Sequence, residues 1–384
     1  MVWRHFTAGE SHGPALLAIL EGMPAGLMLG PGDLDPDLAR RQLGYGRGAR
    51  MAIEKDHAEF VGGVRFGRTT GAPIALLVKN RDTEQLTVRP ADYKPLLFPR
   101  PGHADLPAAI KYDLDDIRDV LERASARETA ARVALGACAK QLLAEFGISV
   151  HSFVESIGDA GGGAFPERIS DAMRRRAERS PVRCPDAALS AAMVRAIDAA
   201  AASGDSLGGV VRVDAEGVPP GLGSHTQWDL RIEGRIGAAL MALPGVKGVE
   251  NGLGFAAAAR PGSKVHDAIY RAKGKPWGWY RKTNRAGGIE GGITNGETVT
   301  FRVAMKPIPT LKKPLASASL RTGVAGKAAV VRADVCAVPA LGVVAEAALA
   351  LELAGAMRER FGGDSVREMR QHWHDFAKRS DLAR

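Results

Sequence analysis

The sequence predicts a mixed α+β fold, and three features carry that expectation. Strand-like and helix-like segments follow one another irregularly, which argues against a doubly wound parallel sheet. Short apolar runs punctuated by glycine read as hairpins. One helix carries small residues at every fourth position, so another backbone can approach it closely.

In chain order, residues 59–82 read as strands and turns. Residues 125–146 (SARETAARVALGACAKQLLAEF) read as a helix closed by Gly147, with Ala126, Ala130, Ala134 and Cys138 forming the small stripe of a central, buried element. A second Ala-rich helix is expected over 187–202 after Cys184-Pro185-Asp186, and a strand over 210–215 after Gly208-Gly209. Residues 229–243 and 341–361 complete the helices, the last ended by Gly362-Gly363. The tail, 364–384, is charged and expected at the periphery, where His372 and His374 suit a solvated face better than a metal site. At about 150 residues per domain the 384 residues could make two or three domains or one large one; no internal repeat and no long linker divides them, and a single domain is the expectation.

Composition narrows the class. Three cysteines are too few and too odd for a disulfide scaffold and suit a reducing compartment. The first residues show no basic segment followed by an apolar run, and Glu346 and Glu352 interrupt the longest apolar stretch, so neither a secretory signal nor a membrane span is expected. The expected setting is cytoplasmic. A net charge of +9 points to anionic partners. Nucleic acid would need stacking aromatics on a basic face or a known module; neither is visible, which leaves a generally basic surface or a small, multiply anionic ligand.

The motifs lean toward the ligand. GESHG (9–13) fits the G-x-S-x-G nucleophile elbow, but eight residues leave no room upstream for the core strand and oxyanion loop that an elbow needs. What remains is a Ser11-His12 pair between glycines, either ligand-facing or a satisfied turn. RRQLGYGRGAR (40–50) brings Arg40, Arg41, Arg47 and Arg50 together with three glycines and no acid. Guanidinium forks grip phosphate and carboxylate, and glycines let backbone N–H groups turn toward an anion. The same segment satisfies a loose dinucleotide fingerprint, but no buried strand precedes it. RPGHAD (100–105) holds His103 in a stiff turn, and Arg123, Ser125 and Arg127 open the buried helix, where an anion would be stabilised or Ser125 would simply cap. Cys336 has no partner at metal-ligand spacing and reads as a small hydrophobe; no metal is expected.

GESHG, GYGRGARM, RPGHAD, ERASARETAARVALGACAKQLL, GDSLGG, NRAGGIEGGITNG, MKPIPT and RADVCAVPA occur in the order seen in chorismate synthases, and the chain resembles that family from about residue 5 to 357. The resemblance implies a β-α-β sandwich with helices packed between antiparallel sheets, assembled as a homotetramer. It implies 1,4-elimination of phosphate from 5-enolpyruvylshikimate 3-phosphate to give chorismate, with reduced FMN required and no net redox change. Some members reduce the flavin with NADPH and others need an external reductant. Residue by residue, it implies catalytic roles for His12 (acid toward the leaving phosphate), His103 (proton or hydrogen bond to the flavin) and Asp334 (C6 proton removal with flavin N5). It implies substrate contacts from Ser11, Arg41, Arg47 and Arg50. Flavin contacts are implied for Arg123, Ala124, Ser125, Gly291, Lys306, Pro307, Ile308, Pro309, Thr310 and Arg332. Ala124 and Ala333 depart from the family's usual residues, and Pro244-Gly245 replaces a polar-Ala pair at a flavin contact. Competing expectations are a basic nucleic-acid-binding protein, with steeply salt-dependent affinity, and an ordinary flavin oxidoreductase, which would consume reductant at every turnover.

Overall fold

Two four-stranded antiparallel sheets frame the molecule in a computed structural model that describes residues 2–48, 55–81, 94–162, 165–272, 274, 276–331 and 334–380. The first contains β1 (Arg4–Ala8), β2 (Ala15–Glu21), β3 (Ala58–Gly62) and β4 (Ile74–Lys79) in the order β1-β2-β4-β3. The second contains β5 (Ser149–Ile157), β6 (Gly209–Glu216), β7 (Val246–Asn251) and β8 (Val299–Met305) in the order β5-β6-β8-β7. Each sheet therefore takes its strands in the order first, second, fourth, third, a topological repeat with no visible counterpart in the sequence. Burial alternates along β2, with Leu16, Ala18 and Leu20 inward and Leu17 and Ile19 outward, the two-residue period of a strand with one buried face.

Helices fill the space between. The described ones used below are α1 (Pro31–Gln42), α2 (Asp105–Tyr112), α3 (Ile117–Ala124), α4 (Thr129–Ala144), α5 (Asp171–Arg179), α6 (Ala187–Ser203), α7 (Ile232–Met241), α8 (Val338–Phe361) and α9 (Val366–Ser380). The central layer is α4, lying on β2 and β4, and α8, lying on β5 and β6. They touch most closely at Gly136, where a Cβ would stand 2.2 Å from the Ala347 Cβ, so a hydrogen is all that fits. The layered α+β arrangement is as the sequence suggests.

The details differ instructively. The helix expected over 125–146 opens as a 3-10 turn, Ala126–Glu128, with the Ser125 hydroxyl accepting from the Arg127 N–H, and Ala126 is exposed at that turn. The 229–243 segment divides into a 3-10 turn, Trp228–Leu230, and α7. Glu346 and Glu352 do not break the last apolar segment: α8 is long and apolar enough to cross a membrane by length and composition, but it is the core helix, almost wholly enclosed by protein. The charged tail carries α9, whose Met369 is fully buried and whose Trp373 meets Phe146, Trp277 and Phe361 edge-on. In the same helix His372 Nδ1 lies 2.5 Å from the Phe361 carbonyl oxygen.

Two charges on α8, Glu346 and Arg358, are internal. Glu346 is fully buried and accepts from both Arg40 Nη atoms at 2.8 Å, Lys140 Nζ at 2.6 Å and the Ser152 hydroxyl at 2.7 Å. Asp37 and Glu178 bind the other sides of Arg40, and Arg183 joins Glu178 to Glu346. Three cations (Arg40, Lys140, Arg183) face three anions (Glu346, Asp37, Glu178), which is how a folded interior tolerates charge.

Candidate active site

The starts of α4 and α8 lie on the same side of their crossing, about two turns before it, and a cleft opens there. It is lined by Arg41, Arg47, Ala126, Thr129, Leu243, Pro244, Met305 and the first two turns of α8 from Ala337 to Val344. The dipoles of two long helices thus favour an anion at this mouth.

Arginines reinforce it. Arg41, at the end of α1, is buried; its Nε donates to the Thr129 hydroxyl at 2.9 Å, one Nη to the Ala126 carbonyl at 2.9 Å and the other to Asp56 at 3.3 Å. Asp56 also takes Arg127 at 2.5 Å, and Arg127 Nε donates to Asn80 Oδ1 at 2.8 Å. Burial lowers Arg41 to about 10; Asp56 opposes the shift, and Arg47 and Arg127 add to it. Arg47 pairs with Asp334 at 2.9 Å, while the Gly48 N–H donates to the other Asp334 oxygen at 2.6 Å. Arg41, Arg47 and Arg127 thus gather around Asp56 and Asp334. Arg50 and Arg332 lie outside the described residues.

The Ser11-His12 pair sits beside this cleft because the end of α3 grips the loop between β1 and β2. Glu122 accepts from the His12 backbone N–H at 2.7 Å and lies 2.8 Å from His12 Nδ1, while its carbonyl accepts from the Ser11 N–H. Ser11 Oγ donates to Ser125 Oγ at 3.1 Å, and Arg123 donates to the carbonyls of Thr7 and Gly9. Ala124 ends α3 immediately before Ser125. Asn80 closes the loop from below by donating to the Glu10 and Gly13 carbonyls.

His103 is anchored separately. Its Nδ1 lies 2.5 Å from the fully buried Asp105, which also takes Arg100 through Nε at 2.8 Å and Nη2 at 3.0 Å. Burial works against ionisation of Asp105, yet the bonds from His103 and Arg100 hold the carboxyl well below its usual range. Arg100 reaches on to the Thr310 hydroxyl at 3.0 Å, and Lys306 Nζ donates to the Gly102 carbonyl, so the His103 turn is tied to the 306–310 segment. That segment returns to the cleft: Lys306 N–H bonds Gly245, next to cleft-lining Pro244, and the Ile308 carbonyl accepts from Ser206. Burial and then Lys247 lower the Lys306 ammonium. Lys306, Arg123, Ser125 and Thr310 are donors suited to a phosphate, and Pro307, Ile308 and Pro309 offer apolar edges, a fitting set for a phosphorylated aromatic cofactor. Gly291 stands at the exposed turn of the Ile289–Thr294 hairpin, whose contacts run to Gly223 and the start of α7.

Of the partners that organise these groups, Arg100, Asp105, Glu122 and Arg127 stand inside motifs visible in the sequence, but their bracing roles do not show there; Asp56 and Asn80 carry no signal of theirs beyond being a charged and an amide residue.

A family model described as chorismate synthase matches residues 3–357. Proteins named chorismate synthase from Symbiobacterium thermophilum and Geobacter sulfurreducens are 53% and 52% identical to the chain, each match covering 97% of it and 98% of the relative. A crystal structure of chorismate synthase superposes with a TM-score of 0.81 at 44% identity, covering 99% of both chains. The chain belongs to the chorismate synthase family.

Proposed function

We propose that the cleft between the starts of α4 and α8 is where the family's elimination takes place, with Arg41, Arg47 and Arg50 on the substrate's anionic groups and His12, His103 and Asp334 handling protons. The chain is a carbon–oxygen lyase of aromatic amino-acid biosynthesis, turning 5-enolpyruvylshikimate 3-phosphate into chorismate and phosphate without net redox change. When bound, the reduced flavin supplies electron density to the reacting centre and recovers it. The observation that carries the site assignment is the pair of arginines, Arg41 and Arg47, lining the joint mouth of two helix N-termini. A substrate bearing one phosphate and two carboxylates complements them.

Phosphate leaves as an anion and needs both charge neutralisation and a proton. Arg41 and Arg47 serve the first need, and His12, braced by Glu122, serves the second. His103, braced by Asp105, holds a proton at the flavin side. Asp334 accepts the C6 proton. In the free enzyme both of its oxygens are engaged, by Arg47 and by Gly48. A substrate anion that draws Arg47 away makes that carboxylate a better acceptor.

FMN is the proposed flavin, on Arg123, Ala124, Ser125, Lys306 through Thr310 and, outside the described set, Arg332; Gly291 would reach it from the hairpin. NADPH or an external reductant would keep it reduced. A cytoplasmic homotetramer belongs to the same reading and rests on the family resemblance.

The test is anaerobic, with substrate in excess over enzyme and phosphate release followed together with the flavin spectrum. Reduced FMN should be required at the outset and remain reduced after many turnovers, whereas oxidised FMN should support none. One flavin oxidised per phosphate released would make the protein an ordinary oxidoreductase. Repeating the run with NADPH and oxidised FMN decides the source of electrons.

A further inference from the structure

We propose that Glu122 is a positioning residue for the elimination: its carboxylate holds the hydrogen on Nδ1 of His12 and fixes the ring's orientation, so that the imidazolium gives its Nε2 proton to the leaving group and is left as the Nδ1–H tautomer. The proposal rests on His12 being the acid toward the leaving phosphate.

Glu122 is buried on α3, a helix capped at its start by Asp116, so its carboxylate is delivered from a rigid element. Its two oxygens divide the work: Oε2 takes the His12 backbone N–H at 2.7 Å and Oε1 meets Nδ1 at 2.8 Å. An ionised carboxylate can only accept, so Nδ1 carries a hydrogen, and the tautomer follows. Burial disfavours the charge on Glu122, but the bonds from the His12 side chain and backbone outweigh it and keep the carboxyl below its usual value. Arg118 on the same helix adds to that effect, and Glu10 is the other charged neighbour within the loop. The backbone carbonyl of Glu122 holds the Ser11 N–H at 2.9 Å, so a single residue fixes the pair at three points.

The two-acceptor requirement makes a sharp variant. In Glu122→Gln one terminal atom becomes a donor, so either the His12 backbone N–H or Nδ1–H must lose its partner. Glu122→Asp keeps both acceptors on a shorter arm. For Glu122→Gln, kcat should fall roughly 10²–10⁴-fold, the scale of losing a correctly held histidine tautomer, while the substrate KM and FMN affinity change less than about threefold. Glu122→Asp should recover part of the loss. In a His12→Ala background Glu122→Gln should cause no further loss, because Glu122 acts through His12.

Thermal unfolding of each variant checks that the fold is kept, and Glu122→Asp carries the test if the glutamine variant does not fold. Additive losses in the double variant would overturn the positioning role, as would Glu122→Gln turnover within twofold of the unmodified enzyme alongside an inactive His12→Ala. Full turnover of His12→Ala would instead overturn the acid assignment on which the proposal stands.

Discussion

Arg40 and Arg41 are neighbours in the chain and enter two different charge networks. Arg40, only partly buried, reaches toward the buried Glu346, where Asp37 and Glu178 also surround it and three cations balance three anions. Burial there is outweighed by those carboxylates, which hold the guanidinium far above its ordinary value. Arg41 turns the other way, toward the cleft, where it gathers with Arg47 and Arg127 around Asp56 and Asp334. Its pKa moves down, to about 10. The network around Glu346 is a structural joint, whereas the cleft arginines line an opening suited to an anion. That difference separates a framework arginine from a ligand-binding one more cleanly than exposure does.

If the distinction is right, damage on the cleft side should appear in turnover and damage in the balanced network should appear in stability. The largest expected effects are on the histidines beside the cleft. His12→Ala and His103→Ala should each lower kcat by about 10²–10⁴-fold, as for a positioned acid–base group, with thermal unfolding little changed. Near-full turnover in either at neutral pH would remove that residue from the mechanism.

In the balanced network, Glu346→Ala leaves three cations facing two anions inside the core. Removing one partner of such a buried cluster costs about 3–5 kcal/mol, and denaturant unfolding should register it. Active-site titration of the folded fraction should show unchanged turnover per folded molecule. Acid reaches the same network more gradually. Glu346 is held well below its ordinary value of 4.5 because Lys140 and Arg40 outweigh the cost of burial. A depressed folded-state pKa contributes stability that is fully present above the unfolded value and is lost as pH falls through the folded one. Stability should therefore decline below about pH 4.5, more shallowly in Glu346→Ala than in the unmodified chain; parallel curves would contradict the assignment.

The sequence made the fold class legible because strand and helix periods survive in individual segments, such as the apolar run of α8 and the Gly-broken hairpins near residue 65. It did not reveal the repeated strand order, since topology can recur while side chains diverge. Nor could it separate Arg40 from Arg41: both sit in one basic run, and the acids that divide them come from α1, α5 and α8 on one side and from Asp56 on the other. The Ala stripe correctly marked α4 as buried, but the close approach falls at Gly136, two positions off that stripe's rhythm. Site residues inside glycine-flanked motifs were visible, because such motifs stay local. Their braces, Glu122 for His12 and Asn80 for the loop beneath it, come from distant segments and emerge only when the chain folds.

The cleft itself is tested most directly by the substrate affinity of Arg47→Ala, measured by calorimetry beside its flavin affinity. Losing a hydrogen bond to a charged group costs about 1.5–3 kcal/mol, so substrate dissociation constants should rise roughly 10- to 150-fold while flavin affinity stays nearly unchanged. Equal losses of both affinities, or no loss of substrate affinity, would contradict the assignment of the cleft arginines to the substrate.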